Sequence, residues 1–301
     1  MKVLLTGASG HLGYATSREL DRQGHPFVAL VRQSSNTDGL KGTGANLAYG
    51  DVLDKASVKA AAQGCAAIIH QAAVFSTDMG NPDDIIRPAV EGARNVLEVA
   101  RELGIKRVVY TSSIIAIGMS DSPDKLLDGN TWNTSTALPY AEAKTRSEQI
   151  AHQLARELGV ELMVLCPGGI MGPGDYRVTP SQAMILAMLN GQTPIRNGGL
   201  NPVSVFDVAN LHVQALTRGV PFKRYVAASG DNLTYQQVFD LLQEIVAKPL
   251  PTPPEGPGGP AMYAWYDIGE TCGDFDYHPK SARDTLESVV TWFRSIGVYR
   301  G

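Results

Sequence analysis

A doubly wound, parallel α/β sheet with a smaller, discontinuous C-terminal lobe is the fold class predicted by three features of this 301-residue sequence. Apolar, strand-like runs alternate with amphipathic helix patterns through about the first 165 residues, which is the sequence form of repeated β-α-β units. The first run, Met1-Lys-Val-Leu-Leu-Thr6, leads directly into the glycine turn Gly7-Ala-Ser-Gly10-His-Leu-Gly13. The alternation then stops at Pro167-Gly-Gly169 and Gly172-Pro-Gly174, where a different kind of region opens.

Taken in order, Val3 to Thr6, Phe27 to Val31, Asn46 to Tyr49, Ala66 to His70, Arg107 to Thr111 and Glu161 to Cys166 read as strands. Several are continuously apolar, as strands covered on both faces must be. Helix patterns fill the gaps at about 11–24, 55–62, 83–104 and 138–158. Downstream lie a helix near 180–190, a strand Val203-Ser-Val205 leading into a helix to about 217, and a strand Tyr225 to Ala228. Residues 1–166, with returns at about 203–230, therefore read as the larger domain, and 167–301 mainly as the smaller lobe. Pro249 to Pro260 reads as a surface loop. The last helix, Lys280 to Ile296, ends at Gly297 and reads as packing.

Composition narrows the function classes. A chain that is 44% hydrophobic can bury an ordinary core, and a net charge of -4 offers no basic surface for nucleic acid. Cys65, Cys166 and Cys272 are odd in number and far apart, which predicts reduced thiols in a cytoplasmic protein rather than disulfides or a metal site. There is no secretory-type leader and no apolar run of about 18 residues, so no membrane association is expected.

The turn of Gly7, Gly10 and Gly13 sits between strand and helix, with Ala8 and Ser9 small enough to let a pyrophosphate approach the backbone. The free N–H groups of His11, Leu12 and Gly13 at the helix start would hold it. This is the Rossmann arrangement. An NAD site places a carboxylate about 20 residues later, whereas Val31-Arg-Gln-Ser-Ser35 offers Arg32, suited to a ribose 2'-phosphate and hence to NADP(H). The alternative has Arg32 solvated and Asp38 accepting from an NAD ribose. Asp51, beside Val52, would accept from the adenine amino group or else cap a helix. Ala72 and Ala73 are small enough to let the cofactor cross the fourth strand, and His70 reads as structural.

The reacting end is read from Thr111-Ser-Ser113 and from Pro139-Tyr-Ala-Glu-Ala-Lys144. Four-residue spacing puts Tyr140 and Lys144 on one helix face. Reduction of a carbonyl needs a proton as charge grows on oxygen; Tyr140 can give it, and the Lys144 ammonium should lower its pKa. Lys144 can also bond the nicotinamide ribose. Ser113, with Ser112 as the neighbouring candidate, would hold the substrate oxygen. The alternatives are a plain strand cap and a helix-surface pair.

With these residues the chain resembles the extended short-chain dehydrogenase/reductases over essentially its whole length, on Thr6 to Gly13, Gly50-Asp51, His70-Gln-Ala-Ala73, Thr111 to Ser113, Tyr140 to Lys144 and Cys166 to Gly174. The resemblance implies a Rossmann fold, a Ser, Tyr, Lys site and a small substrate lobe, and it extends cofactor contacts to Pro167, Gly168 and Ile170. Arg87-Pro-Ala89 and Arg32 are similar to the dihydroflavonol reductase and cinnamoyl reductase branch. Epimerases of the family carry diphosphate-binding arginines near the small-lobe strand, and Asn201 to Asp207 has none. An NADPH-dependent reductase of a ketone or aldehyde is therefore expected, with a 3β-hydroxysteroid dehydrogenase, a nucleotide-sugar epimerase or a non-catalytic NADP(H)-sensing protein as rivals. Phe75, Ser76, Ile114, Met171 and Tyr176 are the expected pocket residues, and homodimerisation through 83–104 and 138–158 is expected by analogy.

Overall fold

The computed structural model describes residues 1–72, 83–135, 138–174, 177–256 and 259–301. In chain order it contains β1 (Val3–Thr6), α1 (His11–Arg22), β2 (Phe27–Val31), β3 (Ala45–Tyr49), α2 (Lys55–Ala61), β4 (Ala67–His70) and α3 (Asp83–Glu102). Then come β5 (Arg107–Thr111), α4 (Ile114–Ile117), α5 (Pro139–Leu158), β6 (Glu161–Pro167), β7 (Gly169–Met171) and α6 (Pro180–Leu189). The remainder is β8 (Gly198–Leu200), β9 (Pro202–Ser204), α7 (Val205–Gln214), β10 (Arg224–Ala227), β11 (Leu233–Thr234), α8 (Tyr235–Val246), β12 (Met262–Tyr263), α9 (Gly269–Phe275) and α10 (Ala282–Ser295).

Seven strands form one parallel sheet in the order β10-β6-β5-β4-β1-β2-β3. The chain winds outward from β1 to β3, then crosses back to lay β4 on the other side of β1. That reversal opens a crevice at the carboxyl ends of β1 and β4, the usual place for a ligand in such sheets. Side chains alternate across the sheet. Leu4, Val28, Ile68 and Val108 pack under α2, α3 and α5, while Val3, Leu5, Phe27, Ile69 and Val109 pack under α1, α7 and α9. Burial on both faces explains why these strands read as continuous apolar runs.

The smaller lobe has its own core, made by Ile185 and Met188 of α6, Val238 and Leu242 of α8, and Leu286, Val290 and Phe293 of α10. β8 lies between β11 and β12. Of the downstream strands, β10 joins the main sheet beside β6. β9 instead pairs with β7, and it ends one residue early because the Ser204 hydroxyl accepts from Phe206 N and starts α7 at Val205. The lobe is fastened next to α4: Ser120 and Tyr263 exchange backbone hydrogen bonds, and the Tyr266 hydroxyl donates to the Gly118 carbonyl that ends α4. Cys65, Cys166 and Cys272 are all unpaired. Among the described residues no helix is long and apolar enough to cross a membrane, and no cluster of His, Cys, Asp and Glu could hold a metal ion.

Candidate active site

The glycine turn is built by close approach. Gly7 has φ of +74°, and a side chain there would lie 2.7 Å from the backbone of Gln71 and Ala72, so the turn after β1 presses against the segment leaving β4. A side chain on Gly13 would meet the Gly7 carbonyl at 2.1 Å, so α1 can pack on the turn only through glycine. Gly10 differs: its φ of -86° suits any residue, and the nearest atom to an added Cβ is the Gly7 carbonyl at 3.3 Å. No side chain caps α1 at Gly10. A helix start with no side-chain cap of its own fits the phosphates of a dinucleotide. A cavity of about 230 Å³ adjoins it, lined by Ser9, Gly10, Tyr14, Asn36, Gly39 and Gly174. Burial, and then the charge of Arg177, pull His11 at the head of α1 down to about 4, so it is neutral there.

Beside this turn the other predicted cofactor residues lie at strand ends. Arg32 is exposed just past β2, and Asp38 is paired with Lys41 at 2.5 Å. Asp51 accepts from Leu53 N at 3.0 Å, while Asp54 accepts from Ala56 N and caps α2, so Asp51 is not that helix's cap. Val52 is half-buried and its carbonyl accepts from Asn95. Ala72 N donates to the Thr6 hydroxyl, which also bonds His70 Nδ1 at 2.8 Å. Burial holds His70 down at about 3, in keeping with a structural role. Pro167 ends β6, Gly168 N donates to the Ala227 carbonyl, and Ile170 lies in β7.

At the carboxyl end of β5 the structure brings Ser113, Tyr140 and Lys144 together. Ser113 caps α4, accepting from Ile115 N, and its side chain shares a hydrogen bond with the Tyr140 hydroxyl. Lys144, one turn along α5 and only 7% exposed, donates to the Thr111 carbonyl at 3.1 Å. Burial pulls Lys144 down to about 8, against the opposing charge of the Glu148 carboxylate. Tyr140 does not follow the sequence expectation. Burial pushes its phenol up to about 12, the Ser113 hydrogen bond opposes this, and no depression by Lys144 is resolved. In this structure the cost of burying a phenolate outweighs the pull toward ionisation.

Ser112, the alternative to Ser113, is turned away: its hydroxyl donates to the Glu148 carboxylate. Glu148 is fully buried on α5 and is held by the Arg224 guanidinium from β10. Sequence reasoning passed over this pair because its members are 76 residues apart. Of the expected pocket residues, Met171 is buried in the small-lobe core and Ile114, 8% exposed, packs against the main core. Ala73, Phe75, Ser76 and Tyr176 lie outside the described residues. A larger cavity of about 450 Å³, between Trp132, His152, Phe222 and Arg224, is lined by none of the predicted site residues.

Known proteins are similar to this chain in sequence and fold. A Synechocystis chain carrying a provisional dihydroflavonol 4-reductase name is 30% identical over 97% of this chain and 94% of its own length. Cinnamoyl-CoA reductase 1 of Oryza sativa subsp. japonica is 32% identical over 98% of this chain and 91% of its own. The solved UDP-glucose 4-epimerase of Thermotoga maritima, at 22% identity, superposes with a TM-score of 0.82 over 98% of this chain and 99% of the epimerase, and so shares its fold. Residues 3–228 match the model of the NAD dependent epimerase/dehydratase family, and the chain belongs to that family.

Proposed function

We propose that the protein is an NADPH-dependent reductase of a ketone or aldehyde, acting reversibly as an alcohol dehydrogenase. The observation that carries this is the hydrogen bond between Ser113 and Tyr140, with Lys144 one turn away and the glycine turn beside them. When bound, the nicotinamide supplies a hydride to the carbonyl carbon. The rest falls to the chain. Ser113 donates a hydrogen bond to the carbonyl oxygen, and Tyr140 delivers the proton that completes the alcohol. A phenol held at about 12 is protonated at neutral pH, the state a donor needs. The Lys144 ammonium, charged below about pH 8, stabilises the phenolate left behind.

The preference for NADPH is supported by Arg32, an exposed guanidinium where an NAD site has a carboxylate, and by Asp38 being engaged with Lys41. Reductase names among the relatives, and the lack of an arginine in Asn201 to Asp207, favour net reduction over sugar epimerisation. The test is NADPH absorbance followed against aromatic aldehydes, aliphatic ketones, flavanonols and steroids. Consumption of NADPH with a higher kcat/KM than NADH is expected. An NADH preference defeats the cofactor assignment, and conversion of a nucleotide sugar without net NADPH consumption defeats the reductase reading.

A further inference from the structure

The Glu148–Arg224 pair lies out of water directly behind the reacting residues. Arg224 is fully engaged: it bonds Glu148, donates to the carbonyls of Gly129 (2.9 Å) and Thr131, and lies 3.7 Å from the centre of the Trp132 ring. Both Glu148 oxygens are taken, one by Arg224 Nε and the other by Ser112. His152 stands 3.7 Å away on the next turn of α5. Replacing such a pair with apolar residues is often neutral or stabilising, so stability alone does not explain it. Its location does. Tyr140, Lys144 and Glu148 follow one another at four-residue spacing on α5, and Ser112 is the neighbour of Ser113.

We propose that Glu148 is a positioning residue, which keeps the Lys144 side chain charged and anchors the Ser112-Ser113 corner, with Arg224 fixing the carboxylate from β10. The proposal rests on the reductase reading of Tyr140 and Lys144. The groups facing Lys144 are Tyr140 and Glu148 from its own helix, Cys166 from β6 and neutral His70 from β4. Glu148 is the anion in that set, since burial drives the Cys166 thiol up and keeps it protonated. Burial also pushes the Glu148 carboxyl up, but His152, Arg224 and Ser112 together hold it below its ordinary value. Without that carboxylate, burial acts on Lys144 with little opposition.

The test uses Glu148→Gln, which keeps shape and removes charge, and Glu148→Gln/Arg224→Met, which removes both charges in case the single variant does not fold. Acetic anhydride labelling over a pH series, read by mass spectrometry at the Lys144 peptide, gives that lysine's titration without turnover. In the single variant the midpoint should fall by about one pH unit and in the double variant by less, because the Arg224 cation goes with the carboxylate, and the alkaline limb of kcat/KM should move down with it. A midpoint unchanged in a folded variant overturns the proposal. A shifted midpoint in a protein whose wild type reduces no carbonyl overturns the reductase reading instead and leaves the coupling of Glu148 to Lys144 intact.

Discussion

At Tyr140, burial and hydrogen bonding together decide which way a proton can move. The hydroxyl keeps its proton at neutral pH, and Ser113 is in hydrogen-bond contact with it. Tyr140→Phe removes the donor and preserves the ring, so kcat should fall by roughly 10² to 10⁴-fold while NADPH affinity changes by no more than a few-fold. Titrating NADPH by fluorescence alongside steady-state rates checks both halves, and a variant with near wild-type kcat would refute the role. The four-residue spacing of Tyr140 and Lys144 was readable because it is local. The direction of the phenol's shift was not, because it depends on how much chain closes over it. Glu148 was less legible still: on a helix it reads as an ordinary solvated carboxylate, and only folding brings Arg224 to it.

Among the elements, the turn from β1 into α1 separates fold from ligand. Gly7 and Gly13 are required by the backbone itself, whereas at Gly10 an added Cβ would meet only the Gly7 carbonyl, at 3.3 Å, a tight contact that a small backbone shift relieves. Gly10→Ala should therefore leave the thermal midpoint within a few degrees of wild type and weaken NADPH binding at least about tenfold, because the new methyl stands where a pyrophosphate approaches. Unchanged affinity measured by calorimetry would mean that the turn does not hold the cofactor. The long elements of the main sheet were legible because two-sided burial leaves an unbroken apolar signature. α8 also carried a signal that went unread: Thr234 and Gln237 form a capping box ahead of Val238, Leu242 and Val246, all buried. β8, β11 and β12, at three residues or fewer, carry no periodicity to read, and their pairing is fixed only when the lobe closes.

For the whole molecule, His70 and His212, two of the histidines that burial keeps neutral, link separate elements and shape its response to acid. His70 on β4 bonds Thr6 of β1. His212 on α7 bonds Thr111 of β5 through Nε2 at 2.7 Å; its Nδ1 lies 2.7 Å from the Val208 carbonyl, which can only accept, so Nδ1 carries the proton. Burial holds the two at about 3 and about 4, below the ordinary value of 6.5. The unfolded chain therefore binds more protons as pH falls below 6.5. Their contribution is present in full above that value and is lost progressively down to about pH 3 to 4. Each proton taken up on unfolding is worth about 1.4 kcal/mol per pH unit, so two of them should steepen acid destabilisation clearly. His70→Gln/His212→Gln should be less stable than wild type at pH 7 yet lose less stability on going to about pH 4.5. Thermal midpoints of both proteins across that range give the comparison, and parallel curves would show that these histidines do not govern the acid limb.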